Sequence, residues 1–215
     1  MSTTALLVFG KEVRAGTVKT RLHDRLSPKE AAGLYQAFVR DTARLARSAG
    51  VPIRWYVAGQ AAEAPAGDLF EQRGDSLGER LESAFRETAE AGFEGAVVIG
   101  TDSPNLPSEL LGDALEAVQR PGAVIGPAFD GGYYLLGLQQ VDPSFFKTIR
   151  YSRPTVFLET KRALDAAGAE VHVLPEWYDV DDSEDLDRLA GDLRQRPDAA
   201  PHTHEALVGL GILAE

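Results

Sequence analysis

Cations gathered in one short stretch of an acidic protein mark the first place to look for chemistry. Residues 10–21 read Gly10-Lys11-Glu12-Val13-Arg14-Ala15-Gly16-Thr17-Val18-Lys19-Thr20-Arg21, in a 215-residue chain whose formal net charge is −11. Gly10 and Gly16 allow a backbone to approach a diphosphate closely, and Lys11, Arg14, Lys19 and Arg21 can give its oxygens charge-assisted hydrogen bonds. The stretch is not a Walker A loop, since no glycine directly precedes Lys19, and it contains no G-x-G-x-x-G. A solvated basic loop is the plainer account. Its place directly after the apolar, β-branched run Thr4–Phe9 favours phosphate binding.

Carboxylates supply the complementary chemistry. Asp102, in Thr101-Asp102-Ser103-Pro104, follows the apolar run Gly95–Gly100 and is a candidate ligand for Mg²⁺ or Mn²⁺. Such hard ions are commonly held by one or two carboxylates, with phosphate oxygens and water completing the shell. Asp179, Asp181 and Asp182 cluster before a helical segment, and in an extended strand Asp179 and Asp181 would share one side. Asp181 is the favoured second ligand, although helix capping by Asp182 and solvation of the rest explain the cluster nearly as well.

Phe129-Asp130-Gly131-Gly132-Tyr133-Tyr134 joins a carboxylate to a permissive turn and two aromatic rings. Asp130 could orient or deprotonate an acceptor hydroxyl, with Gly131, Gly132 and Tyr133 against the substrate. Asp-Gly-Gly is also what an ordinary hairpin turn uses. Gln72, Gly78 and Arg80 are weaker candidates for nucleotide contact. The four histidines, His23, His172, His202 and His204, show no metal-ligand spacing with carboxylates.

The elements that must position these residues alternate. Thr4–Phe9 reads as a buried strand. Ser27, Pro28 and Glu30 form a capping box for a helix carrying Ala31, Leu34, Phe38, Thr42, Leu45 and Ala46 on one stripe, stopped by Gly50. Pro52–Ala58 reads as a strand, and Gln60–Asp75 as a loop. Ser76 and Glu79 repeat the capping box before a helix ending near Gly92, and Gly95–Gly100 is a further buried strand. Then come a helix over Pro107–Val118, strand Ala123–Pro127, strand Tyr133–Leu138 suited to antiparallel pairing, helix Pro154–Ala167, strand Glu170–Leu174, and a helix capped by Asp182 or Ser183. This order predicts a three-layer α/β/α sandwich with a mostly parallel sheet and one antiparallel strand. Ligands would gather beyond the carboxyl ends of its strands. Residues 1–196 are expected to form one domain and 197–215 a tail that docks on it or contacts a partner.

Composition narrows the field. The acidic balance argues against general nucleic-acid or anionic-membrane binding. The absence of cysteine excludes disulfides, thiolate zinc sites and cysteine nucleophiles. With no signal-peptide layout and no apolar run of roughly 18 residues, a cytoplasmic protein without membrane insertion is expected. Self-association into a homo-oligomer is left open.

In order, Phe9-Gly10-Lys11 through Val18-Lys19-Thr20-Arg21-Leu22, Gly78-Glu79-Arg80-Leu81, Ile99-Gly100-Thr101-Asp102-Ser103-Pro104, Gly126 to Gly137 and Asp179-Val180-Asp181 resemble the DUF2064 family of GT-A-like proteins, often described as glycosyltransferases. The likeness runs from about Leu6 to Leu189. It implies a fold related to the nucleotide-diphospho-sugar transferases, a phosphate-holding first loop, a metal on Asp102 and late aspartates near a second metal position. Thr-Asp-Ser lacks the doubled Asp-x-Asp of many glycosyltransferases. Three functions therefore stand side by side: metal-dependent glycosyl transfer from a nucleotide sugar to a small-molecule acceptor, nucleotidyl transfer from a nucleoside triphosphate with diphosphate release, and nucleotide binding without turnover.

Overall fold

Hydrophobic alternation along the first strand decides the layering. In the computed structural model, which describes residues 4–61 and 63–214, β1 (Thr4–Lys11) sends Leu6 and Val8 into one apolar cluster and Ala5 and Leu7 into another. A strand buried on both faces requires a layer of helices on each. Of the segments read from sequence, Met1–Thr3, Ala62 and Glu215 lie outside the described residues.

The remaining strands are β2 (Ile53–Ala58), β3 (Asp68–Glu71), β4 (Gly95–Gly100), β5 (Gly122–Pro127), β6 (Tyr133–Gln139) and β7 (Val171–Val173). They form one sheet in the order β3-β2-β1-β4-β6-β5-β7. All neighbours are parallel except β6, which runs antiparallel to both β4 and β5. The expected α/β/α sandwich with its antiparallel strand is thus the observed fold.

The helices are α1 (Pro28–Ser48), α2 (Leu77–Glu90), α3 (Ser108–Ala117), α4 (Val156–Ala166), α5 (Ser183–Gln195) and α6 (Pro201–Gly209). Residues of α1, α3, α5 and α6 share the cluster that takes Leu6 and Val8, whereas α2 and α4 cover the opposite face. Both capping boxes form, with Ser27 and Ser76 each accepting from the backbone N–H three residues on. Asp182, rather than Ser183, caps α5 by accepting from the N–H groups of Glu184 and Asp185.

Two elements depart from the sequence reading. β3 lies inside Gln60–Asp75, which reads as a loop: it is four residues long, half-exposed and at the sheet edge, so its alternation is too brief to register. A 3₁₀ turn over Pro143–Thr148 buries Phe145 and Phe146 against α2. The C-terminal segment folds back on α1, where the fully buried Asp41 carboxylate accepts from the N–H groups of His202 and Thr203 at 3.2 and 2.7 Å and so caps α6. Among the described residues no helix is long and apolar enough to cross a membrane.

Candidate functional site

β1 is the strand from which the chain winds outward in both directions, toward β2 on one side and β4 on the other. The crevice above such a switch point is where open α/β sheets place ligands. Here the carboxyl ends of β1 and β4 are tied by a single phenol. The Tyr35 hydroxyl, brought up by the second turn of α1, accepts from the Lys11 N–H at 2.8 Å and shares a 2.8 Å hydrogen bond with Thr101 Oγ1. Burial, aided by the charge of Asp102, pushes the Tyr35 phenol up, so it remains a neutral clamp at physiological pH.

Two adjoining clefts open at this edge. The larger, of about 370 Å³, is walled by Phe9, Gly10, Gln72, Leu77, Arg80, Tyr133 and Asp179 among others. The smaller, of about 250 Å³, is walled by Thr17, Val18, Lys19, Thr20, Arg21 and Asp181. Lys11, Tyr35 and Asp102 line both. One cleft is mixed aromatic and polar, the other is lined by lysine, arginine and hydroxyl groups, and Asp102 stands where they join.

Lys19 reaches Asp102 across 83 residues of sequence. Its ammonium donates to an Asp102 carboxylate oxygen and, at 2.7 Å, to the Val180 carbonyl, and it lies 3.6 Å from Asp181 Oδ1. The Lys19 side chain is only 4% exposed. Burial alone would lower its pKa, but the charges of Asp102, Asp181 and Asp179 together raise it above the usual lysine value. Burial would likewise raise Asp102; the charge and hydrogen bond of Lys19 outweigh it and hold the carboxyl below the usual range. Sequence reasoning set Lys19 on a donor phosphate, whereas here the ammonium is engaged with protein oxygens.

Asp179 behaves differently from its neighbours. Burial, reinforced by the Asp102 charge, pushes its carboxyl up to about 7. A hydrogen bond donated by Ser103 would act against that rise. Ser103 Oγ is 2.9 Å from the Tyr178 carbonyl and 2.5 Å from Asp179 Oδ1, yet a hydroxyl has one proton to give. A proton on Asp179 lets it donate to Ser103 while Ser103 donates to Tyr178.

The other candidates divide by position. Gly10, Gln72 and Tyr133 line the larger cleft, Arg21 the smaller, and Lys11 both. Gln72 is anchored, its amide donating to the carbonyls of Gly10 and Tyr56 at 2.9 and 3.1 Å. Tyr133 shares a 3.2 Å hydrogen bond with Tyr151, and burial drives both phenols up, that of Tyr151 to about 12. Arg14 and Gly16 sit on the exposed outer turn of the first loop, where the Arg14 carbonyl accepts from Thr17. Gly78 is a packing residue: a Cβ there would come 2.4 Å from the Phe146 carbonyl.

Asp130, expected beside an acceptor, is exposed and outside both clefts. Its carboxylate accepts from the Gly132 N–H at 2.8 Å, closing the turn on itself. Gly131 and Gly132 belong to that turn, and Gly131, at φ 86°, fits because a Cβ would lie 2.0 Å from the Pro154 carbonyl. Missed from sequence was Tyr35. The signal was a lone hydroxyl-bearing ring beside the apolar stripe of α1, a side chain that needs a polar partner when buried.

The residues suit a hard cation. Asp102, Asp181 and the Val180 carbonyl already surround one cation, the Lys19 ammonium, so a single ion can meet both carboxylates. Among the described residues no group of three or more acidic or histidine side chains forms a ready-made cage.

This is the architecture of the GT-A, or nucleotide-diphospho-sugar transferase, fold with its strand-end crevice lined by cations and carboxylates. The chain belongs to the family described as "uncharacterized protein conserved in bacteria (DUF2064)", whose model matches residues 41–153. It is similar over 99% of its length, and 96% of the other chain, to a crystal structure from Desulfovibrio desulfuricans G20 provisionally assigned as a nucleotide-diphospho-sugar transferase, with 31% identity and a TM-score of 0.91. A CMP:2-keto-3-deoxy-manno-octonic acid synthetase complexed with CTP matches in fold at TM-score 0.57 and 12% identity, over 90% of this chain and 99% of that one. A cytidylyltransferase from Leptospira borgpetersenii does so at 0.53 and 10%, over 93% and 97%. No curated protein matches the chain in sequence.

Proposed function

We propose that this protein is a transferase that takes a nucleotide-activated sugar as donor and passes the sugar to a small-molecule acceptor. The observation that carries the reading is the junction at Asp102, where a cation-lined cleft meets an aromatic and polar one. A donor diphosphate fits the smaller cleft, against Lys11, Arg21 and the hydroxyls of Thr17 and Thr20. The organic parts of donor and acceptor fit the larger, against Gln72, Leu77 and Tyr133.

Asp102 and Asp181 would hold Mg²⁺ or Mn²⁺, which when bound supplies positive charge against the departing diphosphate. Lys11 and Arg21 add fixed cations at the same place, and fixed charge aimed at a leaving group is the largest electrostatic lever such a site has. The sugar–diphosphate bond breaks, the acceptor oxygen bonds to the sugar, and the acceptor proton must go to a base. Asp179 lines the larger cleft and, in its ionised form, would take it.

Nucleotidyl transfer is the second reading. Lys11, Lys19 and Arg21 line the smaller cleft together, and three cations suit a released inorganic diphosphate as well as a nucleoside diphosphate. Incubation with nucleotide sugars, and separately with nucleoside triphosphates plus sugar phosphates, distinguishes the two. Nucleoside diphosphate release from a nucleotide sugar is the expected result. Inorganic diphosphate release would establish the second reading, and tight binding without product would leave a nucleotide-binding module.

A further inference from the structure

The cation between Asp102 and Asp181 is already present, and it belongs to the protein. Lys19 Nζ touches Asp102, donates to the Val180 carbonyl at 2.7 Å and lies 3.6 Å from Asp181, with the Phe38 ring 5.4 Å from it. A divalent ion held by Asp102 and Asp181 would need the space that the ammonium fills. Two cations cannot share it, because at contact distance in a half-buried site they repel strongly. Metal entry therefore requires the ammonium to leave.

Lys19 has a route out. It lines the smaller cleft with Lys11, Thr17, Thr20 and Arg21, so a swing of its side chain carries the ammonium toward the place assigned to the diphosphate. Its backbone is also unusual, at φ 48° and ψ 42°, a left-handed conformation that a residue with a Cβ adopts only under constraint from its surroundings. The residue holding the carboxylates is thus one whose local conformation is strained.

We propose that Lys19 is a positioning residue that serves as the resident cation of the Asp102–Asp181 pair, and that donor phosphate and divalent metal displace it together. The carboxylates exchange ammonium for metal, and the ammonium exchanges carboxylate for phosphate. Metal binding alone is weak, and donor binding strengthens it. Linkage then requires metal to strengthen donor binding by the same factor. This rests on the proposed metal site and goes beyond it by making that site conditional.

The test is a Mn²⁺ titration, followed by electron paramagnetic resonance of the free ion, on the protein without nucleotide. Lys19→Met should bind Mn²⁺ about tenfold more tightly than the wild type, or better. Lys19→Met combined with Asp102→Asn should lose that gain. Equal affinity of wild type and Lys19→Met overturns the proposal. If that shared affinity depends on Asp102 the metal site survives, and if neither protein binds Mn²⁺ the site falls as well. A second measurement needs no substitution. The ¹H–¹⁵N signal of the wild-type Lys19 ammonium should shift when Mg²⁺ and a panel of nucleoside diphosphates are added together, and only slightly with Mg²⁺ alone. A signal unmoved by a nucleotide that calorimetry shows to bind would contradict the exchange.

Discussion

Asp102 and Asp130 occupy comparable places, each in a loop just beyond a strand and each followed by small or turn-forming residues, yet the structure uses them in opposite ways. Asp102 finds its partner 83 positions away, on a lysine drawn out of solvent. Asp130 finds its partner two positions away, on the backbone of its own turn. A carboxylate satisfied locally can close a turn without the rest of the fold. One held by remote groups exists only because the whole sheet brings it there, and that investment marks a site.

The sharpest way to break this contrast is Asp102→Ala. Metal-dependent nucleotide binding should fall by about 100-fold or more, since losing even a group that only supports a metal ligand costs about 10–100-fold, while the circular dichroism spectrum stays that of the wild type. Calorimetry with Mn²⁺ and a bound nucleotide measures it, and unchanged affinity would remove Asp102 from the site.

Gly131→Ala should act on the other side of the comparison. With φ at 86° and the Pro154 carbonyl 2.0 Å from the new Cβ, the substitution should cost about 1–3 kcal/mol in urea unfolding, with little change in nucleotide affinity.

Asp179→Asn has a defined pH signature. A carboxyl whose folded value is pushed up to about 7, from an ordinary 3.8, is penalised in the folded state once it must ionise. The native protein then binds more protons than the unfolded chain between those values, so wild-type stability falls as pH rises through them. Asparagine, neutral throughout, should match the wild type near pH 4 and exceed it increasingly up to pH 7, with a plateau above. Thermal melts of the metal-free proteins across that range check the sign, and a difference constant with pH would reject the protonated Asp179–Ser103 pair.

The smallest expected change is Asp130→Asn, which retains a side-chain oxygen able to accept from Gly132. Stability should stay within about 0.5 kcal/mol, as for most surface substitutions, and transferase turnover should be unaffected. A collapse in kcat would restore Asp130 to the chemistry.

Much of the fold was legible because its signals are local. Ser27–Glu30 and Ser76–Glu79 announce their helices within four residues, and apolar runs such as Gly95–Gly100, short and bounded by glycine, suit strands buried on both faces. β3 was not legible, since four half-exposed edge residues carry no period. The site was readable in composition but not in geometry. The cations of the first loop and Asp102 stood out by type, whereas the engagement of Lys19 with carboxylates, the Tyr35 clamp and the separate fates of Asp179 and Asp181 arise from contacts between distant segments. In an extended strand Asp179 and Asp181 look equivalent; burial and the placement of Ser103 against the first, and exposure with Lys19 near the second, distinguish them.

A crystal grown with Mn²⁺ and soaked with a nucleotide sugar tests the central claim most directly. The account predicts an anomalous peak bridging Asp102 and Asp181, with the diphosphate against Lys11 and Arg21 and the sugar directed toward Tyr133. Nucleotide and metal bound together at any other place on the protein, with Lys19 still on Asp102, would contradict it.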